Sequence, residues 1–296
     1  MYIPENIRQT PRSYALGEYI IHPDYKNNKP LEQWIETISF EQAEIDSNRM
    51  QMHSRKRNNL FTFKQPDIDK EVVLKVSQNS KHYRWYRKLN LSLISLFKDY
   101  SLNAYYGGIT LEKLGILTPK VIAHWSCKRQ GERKKSYLMY EKVDANMTVF
   151  ALCEKLNLHH SNATEVIQEI TKILADVVKQ LHENNFRHGD PHSGNFLLSN
   201  NIQNVANMTT SSCKNLKLYL IDLDKACFVK NEKPWKKKLL DIRCMRRFRV
   251  PGIESNTCLK HYYGRPPSIL EKLILKFWMK GGMNPYKWIK RSEKRI

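Results

Sequence analysis

The chain is short of acid. Its 296 residues carry 29 Asp and Glu against 50 Lys and Arg, a formal charge of +21. Such an imbalance says nothing about fold, but it marks a surface drawn to polyanions: nucleic acid, anionic lipid or a phosphorylated substrate. A lysine-rich solvated surface gives the same count without any partner. Long apolar runs are missing as well. The longest strongly apolar stretch, Leu91–Phe97, is far below the ~20 residues that span a bilayer, and the opening MYIPENIRQTPR holds no apolar signal core. Six cysteines stand at 127, 153, 213, 227, 244 and 258 with no CxxC pair and no His/Cys cluster at zinc-ligand spacing. Free thiols in a reducing compartment are therefore expected, and with them a cytoplasmic protein that can still lie on a membrane surface. Glycine is scarce early: only Gly17 precedes Lys75, so the first quarter of the chain has no Gly-rich phosphate loop.

What is present suffices for two lobes around a cleft. The apolar fraction is 41% and aromatics make up 10%, enough for a core and too much for a disordered chain. Residues 1–50 are polar and weakly patterned and read as an extension of unclear role. Two strands are expected over 59–76, with Gln65-Pro66-Asp67 as the breaker between them. Residues 81–115 carry helical signals with a break at Gly107-Gly108. Two further strands, Lys120–Trp125 and Ser136–Tyr140, flank a charged turn at Lys128–Lys135. Over 161–183, Val166, Ile167, Ile170, Ile173, Leu174, Val177, Val178 and Leu181 recur at three- and four-residue steps, the stripe of an amphipathic helix. Phe196-Leu197-Leu198 and Leu216–Ile221 read as short strands joined by an Asn/Ser/Thr-rich loop. Strands with one helix, then helices, then a loop motif between helix and strand make an α+β order. The expected fold is two-lobed and protein-kinase-like: a β-rich N-lobe over 51–143 and a mostly helical C-lobe over 144–296.

The chemistry lies in two acidic motifs. Phosphoryl transfer needs metal ions across the phosphates, a cation on them and a carboxylate to orient the attacking hydroxyl. His188-Gly189-Asp190-Pro191-His192-Ser193-Gly194-Asn195 supplies Asp190 for the hydroxyl and, five residues on, Asn195 for Mg²⁺. Amide and carboxylate oxygens suit that hard ion. Ile221-Asp222-Leu223-Asp224 ends an apolar strand in Asp222, a second metal ligand. Lys75, inside Val-Val-Leu-Lys-Val, fits the strand lysine that holds the α/β-phosphates of ATP. Glu141 and Val143, where the second strand pair runs out, complete the nucleotide-binding set. His188 fits a structural hydrogen bond better than a metal.

Taken together, HGDPHSGNFLL (188–198), YLIDLDKA (219–226) and LLDIRCMRRF (239–248) resemble the lipopolysaccharide core kinases, which phosphorylate heptose or Kdo in the inner core. VVLKV (72–76), RKLNLSLISLFKDY (87–100) and LEKLGILTPKVIA (111–123) follow in the same order, so the likeness covers residues 60–250. It implies ATP and Mg²⁺ as cosubstrate and cofactor. It also implies a lipid A-core acceptor at the cytoplasmic face of an anionic inner membrane, with Lys75, Asp190, Asn195 and Asp222 in the roles given above. The basic run Lys233–Arg249 and the aromatic-basic tail 269–289 are the expected docking surface. Two departures stand out. No Gly-rich loop is present, which leaves the turn near Arg55–Asn59 to cover the nucleotide. The helix glutamate that should pair with Lys75 would fall near Asn103-Ala104, neither of them acidic, so that either Glu112, the carboxylate that helix offers, or another acid takes its place, or the pair is missing. Two alternatives remain open here: another kinase of the superfamily, acting on protein or a small molecule, and a pseudokinase scaffold on anionic lipid. Specific nucleic-acid binding is disfavoured, since no recognition module interleaves the basic residues.

Overall fold

In the computed structural model the described residues are 3–15, 17–41, 51–54, 58–77, 99–128, 135–159, 163–199, 208–229, 241–242, 257–269 and 271. The Lys128–Lys135 turn, the Ser161/Asn162 start of the amphipathic helix, most of the basic run and nearly all of the tail lie outside them. The chain divides into two compact units. One comprises residues 1–148, 195–203 and 216–228; the other comprises 149–194, 204–215 and 229–296.

The first unit is built on a seven-stranded antiparallel sheet. Its strands are β1 (Arg12–Tyr14), β2 (Gly17–Ile21), β3 (Gln51–Ser54), β4 (Asn58–Gln65), β5 (Lys70–Ser77), β6 (Val121–Cys127) and β7 (Lys135–Glu141), in the order β1-β2-β6-β7-β5-β4-β3. Residues 12–14 and 17–21, within the opening fifty, are thus part of the sheet: Gly17 to Ile21 pair with Cys127 to Ala123. Helix α1 (Lys29–Glu41) follows β2, and its Leu31 and Ile35 are buried with Tyr19, Ile21, Val72, Leu74, Val76, Ile122, Trp125 and Met139. Trp125 stacks on Tyr137 at 5.0 Å between ring centroids. The turn at Pro66–Ile68 separates β4 from β5, at the expected Gln-Pro-Asp breaker.

Strand alternation decides the fate of Lys75. Side chains on a strand face opposite sides in turn. Val72, Leu74 and Val76 go into the core that α1 covers, so Lys75 faces the other side of the sheet. Helix α2 (Tyr100–Lys113) also belongs to this unit and runs without interruption through Gly107 and Gly108. The expected break is absent, because both positions need small residues for packing. A Cβ on Gly108 would lie 2.5 Å from Val121 Cγ1, and one on Gly107 would meet the Leu223 and Ala226 side chains at 3.2–3.4 Å. The unit is completed by a three-stranded antiparallel sheet of β8 (Ala145–Thr148), β10 (Phe196–Ser199) and β11 (Leu218–Leu220), in the order β11-β10-β8.

The second unit is helical. It holds α3 (Val149–His159), α4 (Ala163–Glu183), the short β9 (Phe186–Arg187), α5 (Thr210–Cys213) and α6 (Thr257–Tyr263). Helix α4 carries the expected stripe: Val166, Ile167, Ile170, Leu174, Val178 and Leu181 are buried, while Ile173 and Val177 sit at its margin. Its main neighbours are α3, α5 and α6.

Candidate active site

In the first unit, Lys75 is buried, and its Nζ donates to Asp224 Oδ1 at 2.6 Å and to Asp222 Oδ1 at 3.4 Å. Burial disfavours the ammonium, but the two carboxylates outweigh it and the lysine pKa stands above its ordinary value. For Asp224, burial raises the pKa, Lys75 opposes the rise and Asp222 adds to it, leaving a net upward shift. One ammonium against two carboxylates leaves a net charge of −1. Asp222 occupies a left-handed turn (φ +62°) directly after β11 and Ile221, a conformation that aspartate tolerates better than most residues. Beside it, the Ile221 N–H donates to the Asn195 carbonyl at 2.9 Å, extending the β10–β11 pairing by one step. Lys75, Asp222 and Asn195 are therefore carried by one small framework, with the Asn195 residue itself buried.

Of the alternatives for the partner of Lys75, the structure has another acid. Glu112 is engaged elsewhere: its Oε2 is 3.0 Å from His22 Nε2 and its Oε1 is 3.7 Å from Lys120 Nζ. The acid on Lys75 is Asp224, the second aspartate of the Ile-Asp-Leu-Asp motif, to which the motif's spacing assigns no role. Asn103, at the position expected for the glutamate, donates from Nδ2 to the Asp224 carbonyl at 3.3 Å. Glu141 ends β7 opposite Val72, three steps from the Lys75–Leu138 pair, or about 10 Å along the ladder. Its carboxylate accepts from Tyr25 Oη at 2.5 Å and Lys70 Nζ at 2.6 Å, and its pKa is lowered because Lys70 and Tyr25 outweigh burial. The Val143 carbonyl accepts from the Ala145 N–H at 2.9 Å. Strands β3 and β4 pair up to Ser54 and Asn59; residues 55–57 of the turn between them are outside the described residues.

Asp190 belongs to the second unit, where its loop hangs on one buried acid. Asp241 accepts the His188 N–H at Oδ2 (2.8 Å) and the Gly189 N–H at Oδ1 (2.7 Å). Its Oδ2 also lies 3.2 Å from His182 Nε2, whose other ring nitrogen is 2.7 Å from Tyr262 Oη. Gly189 takes φ +91°, which a side chain would resist. The Asp190 N–H donates to His188 Nδ1 at 3.2 Å, and the Gly194 N–H to His192 Nδ1 at 3.1 Å. Both histidines thus shape the loop through their ring nitrogens. In the sequence, Asp241 is marked only as the lone acid in the basic run. The chain passes between the two units at Gly194–Asn195, so the motif's aspartate and asparagine are carried by different units.

The chain thus carries a strand lysine on an Asp-Leu-Asp turn in one unit and a His-Gly-Asp loop in the other. A solved structure of WaaP in complex with acyl carrier protein matches with a TM-score of 0.52 at 12% identity, over 94% of this chain and 98% of that one. The PknI kinase domain of Mycobacterium tuberculosis shows a looser likeness, with a TM-score of 0.39 at 13% identity, over 74% of each chain. No curated protein sequence matches. Residues 108–257, half of the chain, match the model of the lipopolysaccharide kinase (Kdo/WaaP) family, and the chain belongs to that family.

Proposed function

We propose that this kinase transfers the γ-phosphoryl group of ATP to a hydroxyl of a heptose or Kdo sugar in the lipopolysaccharide inner core, yielding ADP and a sugar phosphate. The observation that carries the reading is the buried Lys75 ammonium against Asp224 and Asp222. In the proposal Lys75 holds the nucleotide phosphates. Asp190 orients the sugar hydroxyl and takes its proton. Glu141, about 10 Å along the ladder from Lys75, a spacing on the scale of a nucleoside, and Val143 just beyond the strand meet the nucleotide.

The donor set suits Mg²⁺. Among the described residues no group of three His, Cys, Asp or Glu gathers to enclose a metal. Mg²⁺ is instead commonly held by one or two carboxylates together with substrate phosphates and water. Asp222, with a side chain 48% exposed, and Asn195 would hold it, and the −1 charge of the Lys75 cluster favours a cation. When bound, the ion would neutralise charge developing on the phosphates.

The acceptor accounts for the charge. A lipid-borne, phosphate-rich sugar lies on an anionic leaflet, and a chain at +21 is drawn to it. A protein partner comparable to the acyl carrier protein in the WaaP complex is part of the same proposal, checked by co-elution of the purified proteins. Mass spectrometry of lipid A-core from cells with and without this protein tests the reaction. One phosphate of mass difference is expected; identical core masses would rule the acceptor out. With purified components, Asp190→Ala should lower transfer by on the order of 10²–10⁴-fold while nucleotide binding persists. Transfer at the unaltered rate would remove Asp190 from the reaction.

A further inference from the structure

The two aspartates of Ile221-Asp222-Leu223-Asp224 are not equivalent. Asp224 makes the shorter contact with Lys75, 2.6 Å against 3.4 Å, and its side chain is 21% exposed against 48% for Asp222. The turn that carries Asp224 is clamped to α2. The Leu223 and Ala226 side chains fill the space beside Gly107, and Asn103 Nδ2 reaches the Asp224 carbonyl at 3.3 Å. The helix that would supply a glutamate to the lysine here presents an amide, and that amide grips main chain instead. Helix, turn and lysine are still coupled, with the carboxylate moved from the helix to the turn.

We propose that Asp224 is the positioning residue of Lys75, doing from the Asp-Leu-Asp turn what a helix glutamate would do, while the more exposed Asp222 is left to the metal. The inference rests on the reading of Lys75 as the phosphate-holding lysine. It follows that the Lys75 contact and nucleotide affinity depend on Asp224, and metal affinity on Asp222. It also follows that α2 governs Lys75 through Asn103 and Gly107 rather than through a salt bridge.

The test uses the full chain as Asp224→Asn, Asp224→Glu, Asp222→Asn and Asn103→Ala. Three quantities are read: the rate at which an amine-acylating reagent labels Lys75, mapped by peptide mass; the affinity for a non-hydrolysable ATP analogue; and the Mn²⁺ affinity of the analogue-loaded protein. Asp224→Asn should speed Lys75 labelling and weaken the analogue by about tenfold or more, with Mn²⁺ affinity kept; Asp224→Glu should recover part of both losses. Asp222→Asn should weaken Mn²⁺ and, its contact with Lys75 being the longer one, speed Lys75 labelling less than Asp224→Asn does. Asn103→Ala, which keeps both carboxylates, should speed labelling in the same direction and serves if Asp224→Asn does not fold. The proposal is overturned if Asp224→Asn loses Mn²⁺ as Asp222→Asn does, which would make Asp224 a metal ligand. Labelling of Lys75 unchanged in both Asp224→Asn and Asn103→Ala would also overturn it. If the unaltered protein fails to bind the analogue, the kinase reading of Lys75 falls, while the labelling comparison still reports on the Asp224 contact.

Discussion

Asp241 holds the His-Gly-Asp loop of the second unit. It is fully buried, and each of its two carboxylate oxygens receives one backbone N–H of the His-Gly-Asp loop. Replacing one oxygen by an amide NH₂ sets a donor against a donor. A buried polar group left unmatched costs about 1–3 kcal/mol, and more where a charge was involved. Asp241→Asn should therefore lower unfolding free energy by about 3 kcal/mol in denaturant titration. It should also strip hydrogen-exchange protection from the His188 and Gly189 amides; full protection in the variant would show that the loop holds its shape without the acid. At the same scale, Asp222→Ala should weaken Mg·ATP binding, read as a reduced thermal shift on adding Mg·ATP, and an unreduced shift would count against its metal role. Asp190, Asn195, Asp222 and Lys75 stand out in the sequence because each sits in a short motif whose chemistry is local. Asp224 and Asp241 do not. Their partners lie 149 and 53 residues away, and pattern within a window cannot report contacts made by folding. The acid of the strand lysine is missed only while it is sought on α2; the turn carries it instead.

Helix α2 shows where element-scale reading succeeds and where tertiary structure overrides it. The strands β4 to β7 are legible from β-branched and aromatic density between turn residues, and helix α4 because burial on one face imposes a period of 3.6 on its sequence. Two glycines in α2 read as a break, since each costs about 1 kcal/mol relative to alanine in a helix. Packing reverses that preference. Gly108→Ala should be net destabilising by about 1–3 kcal/mol, because Val121 is β-branched, stiff and 2.5 Å from the new methyl. Gly107→Ala, with contacts of 3.2–3.4 Å, should cost less. Equal stability of the two variants in denaturant titration would contradict this order. The helix start adds a pH dependence. Asp99 accepts the Ser101 and Leu102 N–H groups at 3.0 Å and the Ser136 hydroxyl at 3.0 Å. Burial raises its pKa, but His124 and these donors prevail and hold it well below the usual carboxylate range. A depressed pKa contributes stability that is complete above the unfolded value, about 4, and is lost as pH falls through the folded value. Asp99→Ala should thus cost about 2 kcal/mol at pH 7, and the difference from the unaltered protein should shrink progressively in acid below pH 4. Strands β1 and β2 escape a sequence reading for the opposite reason: their order comes from pairing within the sheet, which leaves no strong period in runs of three and five residues, whereas α1 does carry one, with Leu31, Trp34 and Ile35 at three- and four-residue steps.

At the scale of the whole molecule, charge dominates. Many acids of the described residues are already engaged: Glu32 with Arg12, Asp24 with Lys120, Glu71 with Lys142 and Asp222 and Asp224 with Lys75. Pairing every one of the 29 acids with a base would still leave 50 − 29 = 21 cations over. No helix among the described residues is long and apolar enough to cross a membrane. The charge excess and the tail are the two proposed sources of adhesion to a leaflet. The two sources respond oppositely to salt. Each Lys or Arg at an anionic surface contributes about 1 kcal/mol, within a Debye length that shrinks from about 10 Å at 0.1 M to about 3 Å at 1 M. Burial of apolar side chains is strengthened, if anything, by excluded salts. Vesicles rich in phosphatidylglycerol should therefore sediment the protein at 0.1 M salt and release it at 1 M, and vesicles of phosphatidylcholine alone should not retain it. Lys236→Glu, Lys237→Glu and Lys238→Glu together should shift the release point to lower salt, since three reversals remove six charges from the basic run. Retention on neutral vesicles, or retention at 1 M salt, would assign the adhesion to Phe277, Trp278 and their apolar neighbours in the tail rather than to the charge.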